Sequence, residues 1–490
     1  MASTTRLADS VPSDVLALCE DFARAGLCAY LCGGTARDLL LGIAPSDFDV
    51  AVAAPPTRVA DVVGEKARSG YVREPDPRAE RLGTTRLRHD RRVVEVTSFR
   101  AEGAYSDARH PDDVRFVTDI ALDASRRDFT LNAIYIDPLT DQVVDPVEGC
   151  RDLVTRRLRV IGEAPARLEE DPLRVLRALR FTSTHDCVPD AACHAAILGA
   201  ASRVASVSKP RVRDELEKTI TGRGRGRALG LLVSTGVAAV TIDGLAELAE
   251  VPQPPEYHPE GDVLRHTALV LACLEEPVDP RLAWAAVFHD IGKRDTLEFA
   301  EDRIRFHGHD RISAARAHAW LSAHGVRRAF ANDVTAIIEE HIRIAAVPGF
   351  RAARRARFLL DPLFPLHLAF HRADCLASHG KLDIHLALLE LREALPPEKP
   401  APLLSGKDLV AAGFRPGPAI GVLLRALEEA RFEGAVTTRS EGMDFVQDFA
   451  TRHSIPCPRA PKDSVEDRER PSRLDRDQIG GADESSRVRE

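Results

Sequence analysis

Two adjacent glycines followed by a closely spaced pair of aspartates constrain this chain more than any other feature. The segment LCGGTARD puts Gly33 and Gly34 where an apolar run gives way to a helical pattern, and Asp47 and Asp49 follow in SDFDV. Glycines at a strand-to-helix turn let the backbone approach a phosphate, and free N–H groups at the helix N-terminus attract an anion. On a strand, the spacing of the aspartates puts both carboxylates on one face. Such a pair can hold Mg²⁺ against a triphosphate.

The aspartate pair alone has an ordinary alternative, a turn followed by two solvated carboxylates. The glycine pair, the Arg37-Asp38 dipeptide and the aspartates in this order instead favour a nucleotide site. Glu95 could supply a third carboxylate, because the alternating run RVVEVT around it predicts a strand. Glu95 would share a strand face with Val93, so a half-buried polar role remains open.

A second polar cluster lies in the segment RRDFTLNA. Asp128 and Asn132 are four residues apart, which predicts that they lie on one side of a helical turn. There they can hydrogen-bond to ribose hydroxyls, and Arg126 and Arg127 can bind phosphate. A capped helix with salt bridges is the alternative explanation.

A third cluster, EDPLRVLRALRF, predicts a helix that starts near Pro172, with Glu170 and Asp171 at its N-terminus. An apolar stripe follows along that helix at Leu173, Leu176, Ala178, Leu179 and Phe181. Asp171 and Arg174 are three residues apart and point the same way. A carboxylate accepts from an exocyclic amine, and a guanidinium donates to a ring nitrogen. Cytosine and adenine both present an exocyclic amine beside a ring nitrogen that accepts, whereas uracil and guanine present the opposite pattern of donors and acceptors. The pair would select C and A without a template, although helix capping alone could explain the acids.

In this order, GGTARD, DFD, EVTSFR, RRDFTLNA and EDPLRVLRALRF resemble the class II tRNA nucleotidyltransferase and bacterial poly(A) polymerase family, over roughly residues 28 to 220. The resemblance implies metal binding by Asp47 and Asp49, with Glu95 as a further catalytic candidate. It implies nucleotide binding by Gly33, Gly34, Arg37, Arg127, Asp128, Asn132, Glu170, Asp171, Arg174 and Arg177. The segment SKPRVRDELEKTI resembles a later neck motif, with polar positions Arg211, Glu215 and Lys218.

Two departures from the family pattern bear on the activity. Thr35-Ala36 stands where Ala-Val is commoner, a change that should leave the turn intact. Leu82 stands where many members have Phe, and the Gly-basic-basic-Phe run of the poly(A) branch is not found nearby. This favours tRNA end synthesis over tailing. The polar segment 101–115 matches the flexible loop that the family uses in switching to A addition.

Histidines concentrate in the second half of the chain. His266, His289-Asp290 and Asp374 form the pattern H…HD…D, which resembles the HD domain of metal-dependent phosphohydrolases. The resemblance implies a divalent transition metal on these four residues, and His309 and His341 could bind a second ion. A lone buried histidine is ordinarily a core residue. In several relatives the domain survives as scaffold, so phosphohydrolase activity remains open.

The predicted fold class is α+β, a small α/β nucleotidyltransferase head followed by an all-helical neck, an HD-containing body and a tail. The expected segments are an N-terminal extension at 1–27, the head at 28–155, a helical neck with the base-reading motif at 156–250, the HD domain at 255–385, a C-terminal helical region at 386–453 and a disordered tail at 454–490.

Composition excludes several classes of protein. The chain has 490 residues, of which 44% are hydrophobic and 29% charged, as expected of a soluble globular protein. A net charge of −8 argues against a bulk-basic nucleic-acid binder, although a segregated basic face can still bind RNA. Nine cysteines without a CxxC pair argue against a disulfide framework or thiolate zinc site. The absence of a long apolar run or signal peptide predicts a cytoplasmic protein without a membrane partner.

The expected activity is template-independent addition of C, C and A to tRNA 3′ ends from CTP and ATP, with two Mg²⁺ ions. An enzyme that adds only CC or only A, or a poly(A) polymerase, is an alternative with the same chemistry. An HD phosphohydrolase with a nucleotide-binding head, or a non-catalytic RNA-binding protein, is an alternative of another class. Arginine-rich stretches at 151–159 and 351–357 are candidate RNA contacts or solvated helix faces.

Overall fold

The computed structural model describes residues 7–64, 67–103, 113–256, 258–300, 304–398 and 400–456. They form two compact units. The first contains the residues up to 350 together with 355–398, and the second contains 351–354 and the residues from 400 onward. The boundary near 398 lies just after Pro396 and Pro397.

A seven-stranded sheet is the centre of the head, in the order β3-β4-β5-β2-β1-β8-β9, and a separate ribbon pairs β6 with β7. Strands β2 and β5 are parallel, which brings Asp49 opposite Glu95. The strand predicted around Glu95 is confirmed as β5. The strands are β1 (Ala29–Cys32), β2 (Phe48–Val52), β3 (Val72–Glu74), β4 (Thr84–His89), β5 (Arg92–Ser98), β6 (Arg100–Glu102), β7 (Val114–Phe116), β8 (Tyr135–Ile136) and β9 (Val143–Val144).

The N-terminal segment contains an amphipathic helix, α1, whose apolar face is fully buried. Val15, Leu18 and Phe22 have no exposed surface, and each such side chain contributes about 1.5–3 kcal/mol of burial free energy. The head helices are α1 (Ser13–Arg24), α2 (Gly33–Leu40), α3 (Pro56–Val63), α4 (Pro77–Arg81), α5 (Ile120–Ser125) and α6 (Gly149–Val154), with 3₁₀ turns at Leu7–Ser10 and Thr130–Asn132.

A break between two helices of the neck lies at Asp171. Pro172 disfavours a helical conformation at the residue before it, so α7 ends at Glu170 and Asp171 is extended, with φ −138° and ψ 97°. The predicted apolar stripe of α8 is confirmed, because every member from Leu173 to Phe181 is buried. The neck contains α7 (Ala164–Glu170), α8 (Leu173–Thr184), α9 (Ala191–Ala200), α10 (Lys209–Thr221), α11 (Arg225–Ser234) and α12 (Val237–Thr241), two short strands, β10 (Arg157–Leu158) and β11 (Val188–Pro189), and 3₁₀ turns at Ala201–Ser206 and Ala246–Glu250.

The body packs its helices around α14, in which every residue from Leu282 to Phe288 is buried. One apolar core runs from α1 in the head to α19 in the body. The body contains α13 (Val263–Cys273), α14 (Pro280–Phe288), α15 (Lys293–Thr296), β12 (Leu297–Phe299), β13 (Ile304–Phe306), α16 (His309–Ala323), α17 (Arg328–Glu340), α18 (Ala352–Leu359), α19 (Phe364–Ala377) and α20 (Asp383–Glu393), and a 3₁₀ helix at Arg343–Gly349.

The C-terminal unit has its own small core, which includes Leu409, Leu423 and Val446. Its helices are α21 (Gly406–Ala411), α22 (Pro418–Phe432) and α23 (Arg439–Arg452). Capping boxes at Ser405 and Thr438 begin α21 and α23. Residues 457–490 of the predicted tail, and residues 104–112 of the predicted loop, lie outside the described residues.

An α/β head followed by helices confirms the predicted fold class. The predicted segment boundaries remain predictions, and α20 belongs to the first unit although it overlaps the segment predicted from 386. Within the described residues, every helix is too short or too polar to cross a membrane.

Candidate active site and histidine cluster

The carboxylates of Asp47 and Asp49 lie where β2 begins, and Thr35 of α2 holds the backbone between them. The Thr35 hydroxyl donates to the Asp47 carbonyl oxygen at 3.1 Å and accepts from the Asp49 N–H at 2.8 Å. Burial, and then the neighbouring charge of Glu95, raise the pKa of Asp49 to about 6. A cation between the carboxylates would offset this repulsion, so the oxygen donors fit a divalent ion such as Mg²⁺.

Gly33 is required at the start of α2 for two reasons. Its φ of +60° lies in the left-handed region, and a Cβ atom there would lie 3.2 Å from the Asp49 carboxylate and 3.5 Å from the Arg127 guanidinium. The missing side chain therefore lets the N-terminus of α2 approach both charged groups. Gly33 and Gly34 both line the cavity described next.

A cavity of about 600 Å³ opens between the head and the neck. Eight arginines and five aspartates line it, together with Asn132, and this excess of cations suits a polyphosphate. The charged lining residues are Arg37, Arg100, Arg126, Arg127, Arg174, Arg177, Arg180, Arg211, Asp38, Asp47, Asp49, Asp128 and Asp171.

Four predicted nucleotide-binding residues form a hydrogen-bonded chain across the cavity. Arg37 donates to the Asn132 side-chain oxygen at 2.9 Å, and Asn132 donates to Asp128 at 3.1 Å. Arg177 of α8 donates to the other Asp128 oxygen at 2.6 Å. Although burial alone would raise it, Arg177 and these hydrogen bonds hold the pKa of Asp128 well below its usual value. The predicted helical turn is corrected in one respect, since Asp128 precedes the 3₁₀ turn and only Asn132 lies in it.

Asp123, which is not among the predicted site residues, organises the arginines beneath the cavity. This carboxylate on α5 is fully buried. It accepts from Arg126 at 2.8 Å, from Arg127 at 3.1 Å and from the Tyr135 hydroxyl at 2.7 Å. Burial opposes ionisation, but Arg127 and Arg126 lower the pKa of Asp123 to about 2. The sequence does contain a signal for these ion pairs, because Asp123 precedes Arg126 by three residues and Arg127 by four, the spacing of neighbours on one helix face.

Two of the predicted base-reading residues line the cavity, and the third, Glu170, holds one of them in position. Asp171 and Arg174 line the cavity. Arg174 is 6% exposed and donates to the Arg167 carbonyl oxygen at 2.7 Å and to Glu170 at 3.1 Å. Asp171 accepts from the Leu173 N–H at 3.1 Å, which caps α8. Glu170 therefore contributes to the site by holding Arg174.

Glu95 and the first arginine-rich stretch differ from the other candidates in their surroundings. The Glu95 side chain is 53% exposed and lies 3.7 Å from Arg86, so it is more open than a half-buried role requires.

Arg157 and Arg159 are ion-paired with acidic neighbours at 2.8 Å. These pairs favour the solvated-face alternative for 151–159 over RNA contact.

Five helices of the body bring the predicted HD residues together. Ligand atoms of His266, His289 and Asp374 lie within 4.8 Å of one another, and so do those of Asp290, His309 and His341. Asp290 joins the two groups, because one of its oxygens lies 3.2 Å from His289 Nε2 and the other lies 3.2 Å from His309 Nε2. We call these six residues the histidine cluster.

The orientation of the rings points their Nε2 atoms into the histidine cluster. The Nδ1 atoms of His289 and His309 bond to backbone carbonyls at 2.9 and 2.8 Å. His289 Nε2, His309 Nε2 and Asp290 Oδ1 are buried without a hydrogen-bond partner, and Asp290 Oδ2 lies 2.8 Å from the Lys293 ammonium. Burial, and then His289, lower the pKa of His341 to about 4, which keeps this ring in the neutral form that binds metals.

Comparisons with known proteins agree with the fold and the cavity. A Poly A polymerase head domain model matches residues 29–159, and a model for a probable RNA and SrmB-binding site of polymerase A matches 189–248. The A-adding tRNA nucleotidyltransferase of Deinococcus radiodurans is 32% identical over 86% of this chain and 95% of its own. The CCA-adding enzyme of Geobacillus thermodenitrificans is 34% identical over 58% of this chain and 64% of its own.

A solved structure gives the same result. The crystal structure of the Bacillus stearothermophilus CCA-adding enzyme in complex with CTP aligns with a TM-score of 0.68 and 25% identity, over 90% of this chain and 98% of that one. Fold and cavity together define a nucleotidyltransferase, a class of enzyme that uses divalent metal. The chain belongs to the class II tRNA nucleotidyltransferase family, which confirms the predicted resemblance.

We expect Asp123→Asn to raise the KM for the nucleoside triphosphate by about 10-fold or more, because two charge-assisted hydrogen bonds to cavity arginines lose their anion. Steady-state kinetics would measure this change. The matched control is Asp119→Asn at the exposed start of α5, where the side chain only accepts from Ala121 N–H at 2.8 Å. Equal KM values for wild type and Asp123→Asn would contradict the expectation.

Proposed function

We propose that this chain adds C, C and A to the 3′ end of tRNA, from CTP and ATP and without a template. The proposal is carried by one cavity that contains both the carboxylate pair, Asp47 and Asp49, and the base-reading pair, Asp171 and Arg174. The name of the Geobacillus relative and the CTP in the Bacillus structure support the same activity. A tRNA substrate also supports the predicted cytoplasmic location.

The nucleophile in this reaction is the tRNA 3′ hydroxyl, so no side chain needs to form a covalent bond. Asp47 and Asp49 would hold the two Mg²⁺ ions. When bound, these ions lower the pKa of the hydroxyl and neutralise the triphosphate and its leaving pyrophosphate. The Gly33-Gly34 backbone and the cavity arginines would bind and orient the phosphates. Asp128 and Asn132 would accept from and donate to the ribose hydroxyls.

Base selection would follow from the hydrogen-bonding edge that Asp171 and Arg174 present. The carboxylate accepts from an exocyclic amine and the guanidinium donates to the adjacent ring nitrogen, as cytosine and adenine require. Arg174 is oriented for this by the Arg167 carbonyl and by Glu170. Because both partners are protein side chains, the selection needs no nucleic-acid template.

We expect Asp171→Ala to reduce the preference for CTP and ATP over UTP and GTP by about 100-fold or more, since the amine would lose its acceptor. Competition assays that compare kcat/KM for the four triphosphates would measure the preference. Glu169→Ala, an exposed neighbour on α7, is the matched control. An unchanged preference in Asp171→Ala would remove the base-reading role from this residue.

One observation favours a second candidate activity, the addition of A alone. The Deinococcus relative, whose match covers 95% of its own length, is named an A-adding enzyme. Both activities require the same carboxylates and the same cavity. They differ in which tRNA ends are extended and with which triphosphate.

The deciding experiment uses tRNA transcripts that end at the discriminator base, at C and at CC, with CTP, ATP or both. We expect three added residues that end in A. Extension of only the CC end with ATP would instead establish an A-adding enzyme. Asp49→Asn should reduce extension by about 1,000-fold or more, whereas Asp61→Asn at an exposed position on α3 should not. No extension of any end would remove the proposal.

We also propose that the histidine cluster binds one or two divalent transition ions and hydrolyses phosphate esters. The buried, unpartnered Nε2 atoms of His289 and His309 and the Oδ1 atom of Asp290 support metal binding. A bound ion would supply a nucleophilic water at neutral pH. His266, His289, Asp290 and Asp374 would hold the first ion, and Asp290, His309 and His341 the second. Lys293, 2.8 Å from Asp290, would hold that carboxylate in position.

We expect His289→Ala to abolish Co²⁺- or Mn²⁺-dependent hydrolysis of p-nitrophenyl phosphate and to leave tRNA extension within about twofold, because the head carries the extension chemistry. Metal content by mass spectrometry would be measured on the same samples. His318→Ala, at a half-buried position on α16 outside the cluster, is the control. A wild-type chain that binds no transition metal would make the cluster a structural element only.

A further inference from the structure

A buried carboxylate outside the histidine cluster, Glu260, connects two histidines. One Glu260 oxygen, Oε1, lies 2.7 Å from His266 Nδ1 and 2.9 Å from His258 Nδ1. The side chains of Glu260 and His266 are 6% and 1% exposed. Glu260 stands in the short turn before α13, and His266 lies on that helix. The contact therefore spans one helical turn and the residues just before it.

This contact determines which nitrogen of His266 carries the proton. An ionised carboxylate only accepts hydrogen bonds, so the Nδ1 atoms of both rings must donate to it. A cation that takes the place of the Nε2 proton would then find the Nε2 lone pair directed into the cluster. The Nε2 atom lies 3.0 Å from Asp374 and 3.8 Å from Asp290, inside the cluster.

We propose that Glu260 is a positioning residue for the metal site, which it serves by fixing the ring and tautomer of His266. The inference rests on the proposed metal binding by the histidine cluster. A carboxylate behind a metal-binding histidine raises the basicity of the ring and prevents its rotation, and the loss of such a partner typically weakens metal affinity 10- to 100-fold. Glu260 touches no residue of the cluster other than His266 in the described contacts.

A metal ion on the opposite side of the His266 ring is the competing arrangement. Ligand atoms of His258, Glu260 and His266 also lie within 4.8 Å of one another. There, however, Oε1 already accepts from both imidazoles, and only Glu260 Oε2 is unpartnered. On the Nε2 side, His289 Nε2, His309 Nε2 and Asp290 Oδ1 are buried without partners. The unsatisfied atoms favour the Nε2 side as the metal position.

The test is a Co²⁺ titration of the full-length chain after chelator treatment, followed by visible absorption, which responds to ions held by imidazole. We expect Glu260→Ala to weaken Co²⁺ binding by about 10- to 100-fold. Glu260→Gln retains an oxygen acceptor for His266 Nδ1 and should stay closer to wild type. His258→Ala leaves the contact between Glu260 and His266 in place and should change the affinity by less than about twofold. Extension of tRNA serves as the fold control for all three variants.

Each alternative result has a distinct meaning. Co²⁺ affinity in Glu260→Ala within twofold of wild type would overturn the positioning role. A loss in His258→Ala equal to that in Glu260→Ala would overturn it as well, because the ion would then lie on the Nδ1 side. If wild type binds no Co²⁺ while its tRNA extension is intact, the metal site itself fails and the inference falls with it.

Discussion

The hydrogen bond between Arg177 and Asp128 joins the neck to the head, and the nucleotide cavity depends on it. Asp128 belongs to the head and Arg177 to α8 of the neck, and their side chains meet at 2.6 Å. On the head side the contact continues through Asn132 to Arg37. This chain keeps the carboxylates of β2 and the base-reading residues on the wall of one cavity.

The two candidate sites of the first unit use opposite electrostatic arrangements. The head cavity has more arginines than aspartates and suits a polyanion, while the metal-binding carboxylates occupy one edge of it. The histidine cluster has buried imidazoles and carboxylates whose unpartnered atoms suit a cation. One apolar core connects their supporting helices. Each site therefore has a rigid frame, and a substitution in one can be tested with the other as a fold control.

Motifs whose residues are close in sequence were predicted well. The spacing of Asp47 and Asp49, the strand around Glu95 and the apolar stripe of α8 all depend on local periodicity, which backbone geometry imposes within a few residues. The predicted turn at Asp128 was less accurate, because a 3₁₀ turn replaces the expected helix. The roles of Thr35 and Asp123 were not predicted. Thr35 reaches Asp47 and Asp49 only after α2 packs beside β2.

By itself the sequence determined the kind of chemistry, since glycine pairs, paired aspartates and an H…HD…D pattern are properties of residue type and spacing. Tertiary structure alone decided which atoms meet. Arg37 and Asn132 are 95 residues apart along the chain, and the histidine cluster draws on five helices. The tertiary structure also decided that Glu260, and not solvent, faces His266 Nδ1. The physical reason is that hydrogen bonding and burial depend on distance in space, which local periodicity does not specify.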